Sequence, residues 1–192
     1  MSAPTFESAR LTYHGLTKAD LDEMFEIYSD PAVQKGGRMD GALPRSDALK
    51  AEIEASAQER VLFAVVREKE TNTLVGKVSL QIRVAKDREG EAAITLKRKF
   101  WGKGYGTEAM RWLVDQGFRT LNMHRVALGV FGSNPRAIAL YKKVGFVEEG
   151  RKRKGTFVQG KWEDVILMGI LDEDYWAGQE EKNDAGEGQA LA

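Results

Sequence analysis

Polar and apolar positions change rhythm along the chain, and each change marks a predicted element. Leu11 to Tyr13 predicts a short strand. Thr17 is placed to cap a helix running to about Ser29, with Asp20 at the capping-box position and Pro31 beyond its end. A loop with Gly36, Gly37, Gly41 and Pro44 follows, and Ser46 caps a second predicted helix to about Glu59. Val61 to Val66 is a continuous apolar run, as in a buried strand. From Leu74 to Val84 the chain alternates, with Leu74, Gly76, Val78, Leu80, Ile82 and Val84 on one face, which predicts a long antiparallel strand. Ala92, Ile94 and Leu96 repeat that period over Glu91 to Leu96. The period then lengthens: Met110, Leu113, Val114, Gly117, Phe118 and Leu121 form one helical stripe. Arg125 to Phe131 predicts a strand. Asn134 as cap and Pro135 at the first helical position open a helix whose stripe is Ala137, Leu140, Tyr141 and Val144, and Gly145 ends it. Phe146-Val147 resumes extended chain, Gly155 and Gly160 mark turns, and Val165 to Leu171 is a last apolar strand. Helices and strands alternating between hairpin-linked flanks argue a mixed α/β sheet with helices on both faces. Residues 1–176 read as a single domain, and the polar tail, 177–192, as disordered.

The junction between the strand ending at Leu96 and the long helical stripe carries the candidate chemistry. Phe100-Trp101-Gly102-Lys103-Gly104-Tyr105-Gly106-Thr107 sets three alternate glycines there. Without Cβ atoms such a backbone turns tightly and points several N–H groups into one concavity, and the positive end of the helix reinforces it, so the expected ligand is an anion. The Walker pattern is excluded, because Lys97 stands where its first glycine belongs and Gly104 where Ser or Thr belongs. The dinucleotide fingerprint fails as well, because position 107 is Thr and no strand-borne acid follows at the right distance.

Composition narrows the setting. There is no cysteine, which removes disulfides, thiolate nucleophiles and cysteine-bound metals; His14 and His124 are far apart, so no metal site is expected. No apolar run approaches the roughly 20 residues needed to span a bilayer, and the start of the chain has no basic, apolar, cleavable signal, so a cytoplasmic chain is expected. The zero net charge conceals a strong asymmetry. Residues 97–154 hold 14 Lys or Arg against 4 Asp or Glu, whereas residues 163–192 hold 1 against 9. The basic stretch includes the glycine turn, where Lys97, Arg98, Lys99 and Lys103, with Arg136, Lys142 and Lys143 from the next helix, suit a polyphosphate.

These residues resemble the GNAT N-acetyltransferase superfamily. Its acetyl-CoA loop (Arg or Gln, two residues, Gly, one residue, Gly or Ala) aligns with Trp101 to Gly106, Trp101 replacing the Arg or Gln. Asn134-Pro135-Arg136-Ala137-Ile138-Ala139-Leu140-Tyr141-Lys142-Lys143-Val144-Gly145-Phe146 is similar to a second family segment, and the stretch from Gly145 to Arg151 looks like the branch of ribosomal-protein N-terminal and spermidine acetyltransferases. The resemblance runs from about Leu11 to Leu171. It implies an α/β (α+β) fold with a mixed, mostly antiparallel central sheet, and a splayed parallel strand pair, Glu91 to Leu96 and Arg125 to Phe131, that admits the pantetheine arm. It also implies direct acetyl transfer to a primary amine, with a strand N–H stabilising the oxyanion. The implied cofactor-binding residues are Leu96, Trp101, Gly102, Lys103, Gly104, Tyr105, Gly106, Thr107, Asn134 and Arg136. Glu91 is the candidate base and Tyr141 the candidate acid for the leaving thiolate. Each has a plainer reading: Glu91 as a solvated strand-end charge, Tyr141 as a core tyrosine, Asn134 as a helix cap.

The acceptor is open among peptide N-termini, polyamines, amino sugars and small amines. The first predicted helix carries Asp20, Asp22, Glu23, Glu26 and Asp30, an acidic wall that would favour a cation or an ordinary solvated face. Trp162, Glu163 and Asp164 are further candidates for that side. Expected partners are acetyl-CoA and an amine, with no membrane, in a monomer or homodimer. The alternative is a non-catalytic acyl-CoA-binding sensor or scaffold of the same fold. A nucleic-acid module is disfavoured because the aromatics are not spaced as a stacking platform.

Overall fold

The computed structural model describes residues 6–37 and 42–179. Its strands are β1 (Phe6–Glu7), β2 (Leu11–His14), β3 (Leu62–Glu68), β4 (Leu74–Ile82), β5 (Glu89–Leu96), β6 (Arg125–Phe131), β7 (Val147–Val158) and β8 (Lys161–Leu171). Its helices are α1 (Leu21–Ser29), α2 (Pro31–Gly37), α3 (Ala48–Gln58), α4 (Tyr105–Asp115), α5 (Pro135–Val144) and α6 (172–179). The strands form one sheet in the order β1-β2-β3-β4-β5-β6-β8-β7, antiparallel except for β5 against β6.

Two apolar clusters lie on opposite faces of this sheet. One packs Met110, Leu113, Val114 and Phe118 against Val78, Leu80, Val126 and Leu128. The other packs Met24, Ile27, Leu49 and Ile53 of α1 and α3 against Val65 and Leu74. Helix α4 is fixed in place by Trp112, whose ring stacks nearly parallel on the buried Tyr13 ring at 3.9 Å. Beyond Asp115 the helical stripe continues through a π-helical turn, Gln116–Thr120, which keeps Phe118 in the core.

Several sequence expectations need adjusting. Pro31 does not merely follow a helix; it begins α2, because a proline in the first turn gives up an N–H that has no helical partner. Gly36 and Gly37 are therefore helical rather than part of a loop, and Gly41 lies outside the described residues. Thr17 and Asp20 do form the helix start: the Asp20 carboxylate accepts from the Thr17 N–H at 2.9 Å and from its hydroxyl at 2.7 Å. The alternation of β4 is broken once, where Val66 pairs with Gly76 but Arg67 with Leu74. The extra residue is a bulge, and it turns Leu74 into the α1–α3 cluster, away from the other apolar positions of its strand. Gly155 lies within β7, whereas Gly160 is in the hairpin turn. Residues 177–179 continue α6, and the tail after them lies outside the described residues.

On the α1–α3 side, β4 buries a lysine. Lys77 is 4% exposed, its Nζ donates to Ser79 Oγ at 3.0 Å, and the Phe63 ring lies 5.6 Å away. Burial, helped by the Arg60 charge, lowers its pKa to about 7. The unfolded chain, with an ordinary lysine pKa near 10.4, binds more protons than the folded one between pH 7 and about 10, so stability rises with pH across that window. Replacing Lys77 with Met is expected to raise the melting temperature, most at pH 7 or below and progressively less towards pH 10. Thermal melts at the two pH values check this, and an equal gain at both would show that the lysine is not titrating in the fold.

Candidate functional site

The parallel strands β5 and β6 pair through Glu89, Gly90 and Glu91 against Arg125, Val126 and Ala127, and then part. Past that point β5 stays on β4 to Leu96, and β6 stays on β8 to Phe131. The Lys97 N–H donates to the Val75 carbonyl on the β4 side at 2.8 Å, while the Arg88 carbonyl receives the Arg125 N–H at 3.4 Å on the other. By the period of two, the backbone groups of Ala92, Ile94 and Leu96 therefore face the gap. A sheet interior that leaves such groups without ladder partners is a binding surface for an extended polar chain. The gap widens into a cleft of about 540 Å³, walled by β5, β6, α5, the glycine turn and the end of α2.

The glycine turn closes one end. Gly102 and Gly104 have φ of +73° and +83°, a left-handed conformation that costs other residues roughly 1–2 kcal/mol. This bend turns the start of α4 towards the cleft. The first backbone bond within α4 is Glu108 N–H to the Gly104 carbonyl at 3.1 Å, so the amides just before it are free for a ligand. Gly106 serves packing: a Cβ there would lie 2.6 Å from Leu140 Cδ1, so its absence lets α4 approach α5.

Trp101 explains its own departure from the family pattern. Its indole N–H donates to the gap-facing Leu96 carbonyl at 3.0 Å, and the Arg136 guanidinium lies 3.7 Å above its ring. Asn134 accepts from the Ala137 N–H at 3.1 Å, capping α5, and its amide donates to the Gly36 carbonyl at 3.0 Å, which ties α5 to α2 across the cleft mouth. The cap reading of Asn134 is thus correct, and its N–H is engaged by protein.

Tyr141 and Glu91 both line the cleft. Tyr141 is 8% exposed, its ring is edge-on to Phe146 at 5.8 Å, and its hydroxyl bonds to no protein group among the described residues. Burial pushes its pKa up to about 12, so the phenol keeps its proton throughout the neutral range. Glu91 Oε2 accepts from Arg83 Nε at 2.5 Å. Leu96, Gly102, Gly104, Gly106, Thr107, Asn134 and Arg136 line it as well, but Lys103 and Tyr105 do not. The Tyr105 hydroxyl bonds to Glu68, and its ring lies under Arg10 at 4.4 Å.

Arg10 is a contributor the sequence did not disclose. Its guanidinium donates to the Lys103 carbonyl at 3.1 Å and to Glu108 at 2.8 Å, which fastens the glycine turn to β2. Nothing local in the sequence marks a contact some ninety residues away. Val33, Gly36 and Gly37 of α2 were also missed, because the segment read as a loop. The acids of α1 and of the turn before it, by contrast, are largely spent: Asp20 pairs with Arg67 at 2.7 Å, Glu23 with Lys97 at 3.1 Å and Asp22 with Lys50 at 2.7 Å. Burial opposes ionisation of Asp20 and Glu23, yet their bonds to Arg67 and Lys97 hold both below the usual carboxylate range. No cluster of His, Cys, Asp or Glu suited to a metal occurs among the described residues, nor any helix long and apolar enough to cross a membrane.

Comparison with known proteins gives a consistent answer. The acetyltransferase (GNAT) domain family matches residues 10–147. The N-acetyltransferase p20 of Bacillus licheniformis is 27% identical over 179 residues, covering 89% of this chain and 98% of that one. A spermidine N(1)-acetyltransferase of Vibrio cholerae is 36% identical over 88 residues, about half of either chain. The crystal structure of spermidine N-acetyltransferase from Vibrio cholerae in complex with CoA and spermine superposes with a TM-score of 0.78 at 27% identity, covering 87% of this chain and 98% of that one.

Substituting Gly104 with Val forces a branched side chain into a left-handed backbone with Arg10 Nη2 3.2 Å from the new Cβ. The expected result is a rise of about tenfold or more in the dissociation constant for coenzyme A, since 1.4 kcal/mol is tenfold. Calorimetric titration checks this, with a melt to confirm folding; unchanged affinity in a folded variant would contradict the role given to the turn.

Proposed function

This chain belongs to the GNAT acetyltransferase family and is an acetyl-CoA-dependent N-acetyltransferase, and from that premise we propose how its own residues carry the transfer. The observation that carries the reading is the splay itself, with an unbonded Tyr141 hydroxyl and the Glu91 carboxylate at its wall. Acetyl-CoA supplies an activated acetyl thioester and a thiol leaving group. The gap-facing backbone of Ile94 and Leu96 receives the pantetheine arm, and the free amides at the start of α4 receive the pyrophosphate. Arg136, stacked on Trp101, adds positive charge beside it.

The acceptor is a primary amine that arrives protonated, since an aliphatic amine has a pKa near 10. Glu91 holds that ammonium and takes its proton, directly or through water, so that the neutral nitrogen forms the new C–N bond as the C–S bond breaks. A gap-facing amide of β5 stabilises the charge on the carbonyl oxygen. Tyr141 faces the departing sulfur. With a pKa of about 12 it acts mainly as a hydrogen-bond donor, because complete proton transfer to a thiolate of ordinary pKa, about 8.5, is uphill by roughly 3.5 units. The relatives named for spermidine support a small cationic amine as acceptor, and a cytoplasmic setting belongs to the same reading.

Two measurements test these roles. Tyr141→Phe is expected to lower kcat by about 10²-fold while the KM for acetyl-CoA stays within a few-fold; unchanged turnover would remove Tyr141 from the chemistry. Glu91→Gln is expected to move the acid limb of the kcat profile to higher pH, because the variant must rely on amine already deprotonated in solution. Superimposable profiles would show that Glu91 is not the proton acceptor.

A further inference from the structure

A nucleic-acid partner is disfavoured along the sequence, where no aromatics are spaced as a stacking platform, yet the last hairpin brings two of them together. The ladder between β6 and β8 ends at Phe131 and Val165. Beyond it, apart from one bond from the Gly132 N–H to the Asp164 carbonyl, β8 keeps only β7 as a neighbour. The pairs Thr156–Glu163, Phe157–Trp162 and Val158–Lys161 therefore stand as a two-stranded ribbon. Thr156 and Val158 are buried on one face of it. On the other face Phe157 and Trp162 are 53% and 63% exposed, and their rings meet edge to face at 5.4 Å. Such a pair steadies both rings while leaving aromatic surface open to solvent.

Charge gathers on the same ribbon. Residues 151–162 contain five Lys or Arg and no Asp or Glu. Arg151 is held by Glu148 and Asp164, but among the described residues no ion pair engages Lys152, Arg153, Lys154 or Lys161. None of residues 151–162 lines the cleft, Trp162 included. Open rings flanked by unpaired cations match a chain of bases and phosphates, since the rings offer stacking and the cations neutralise the backbone. A membrane fits less well, because the ribbon's turn is the polar Gln159-Gly160 and the rings lie behind it.

We propose that the β7–β8 ribbon is a binding site for single-stranded nucleic acid, separate from the cleft, with a base stacked on Trp162 and phosphates held by Lys152, Arg153, Lys154 and Lys161. The test is fluorescence anisotropy of labelled single-stranded RNA and DNA of roughly ten nucleotides. The protein is first saturated with coenzyme A, so that the glycine turn cannot take up phosphate. Wild type is expected to bind, and binding of RNA, DNA or both supports the site, the preference telling which source it serves. Trp162→Ala should weaken binding about tenfold, and Trp162→Phe should keep most of it. Replacing the four unpaired cations with Gln should reduce the slope of log affinity against log salt by roughly 3. Coenzyme A affinity and melting temperature should stay the same in all three variants. The proposal is overturned if wild type binds neither strand, if Trp162→Ala binds as wild type does, or if the charge variant keeps the full salt slope. Trp162-dependent capture of phosphatidylserine vesicles without binding of either strand would overturn it too, and would make the ribbon a membrane contact.

Discussion

The structure is organised around a hydrogen-bond ladder that stops early. β5 and β6 share three residue pairs and then separate, although both remain tied to their outer neighbours. Sheet interiors normally satisfy every backbone group, so an opening in the middle of eight strands leaves donors and acceptors with a definite demand. An extended chain with amides of its own meets that demand, and the site is in this sense made by the backbone before any side chain takes part. The protein closes one gap-facing group itself: the indole of Trp101 covers the Leu96 carbonyl. The rest of the edge is left for the ligand.

Keeping the opening in place requires supports on both faces. Trp112 on Tyr13 fixes α4 to the sheet, the close approach at Gly106 fixes α4 to α5, and Arg10 holds the glycine turn from outside. Across the mouth, Asn134 joins α5 to α2. The helix that carries Tyr141 is thereby connected to α2 as well as to α4. Charge is distributed in the same spirit. Among the described residues no ion pair engages Lys99 or Lys103 at the turn, whereas Arg67 of β3 is held by Asp20 just before α1, and Lys97 just past β5 by Glu23 of α1.

Much of this was legible in the sequence because it depends on local pattern. The period of β5, the stripe of α4, and the Asn134-Pro135 start and Gly145 end of α5 each reflect neighbouring residues, and each is found where expected. The glycine turn was legible for the same reason, as positive φ at Gly102 and Gly104 is a backbone requirement that the residue type announces. What escaped was non-local. The bulge that turns Leu74, the burial of Lys77 and the grip of Arg10 depend on strands and helices brought together from distant parts of the chain. The α2 segment escaped because its proline and glycines outweigh its helical signal locally, and only packing of Val33 and Gln34 settles the conformation. The acids of α1 looked like a recognition surface because the cations that neutralise them lie on other elements.

The central claim is that the splayed strands hold acetyl-CoA so that its acetyl group passes directly to an amine. Thiol release from acetyl-CoA, followed together with formation of acetylated amine over a panel of monoamines, diamines, polyamines and peptides, tests it most directly. The account predicts thiol release that requires amine and matches acetylated product one for one. Acetyl-CoA that binds tightly but yields no thiol with any amine, or thiol release that proceeds without acetylated amine, would contradict it.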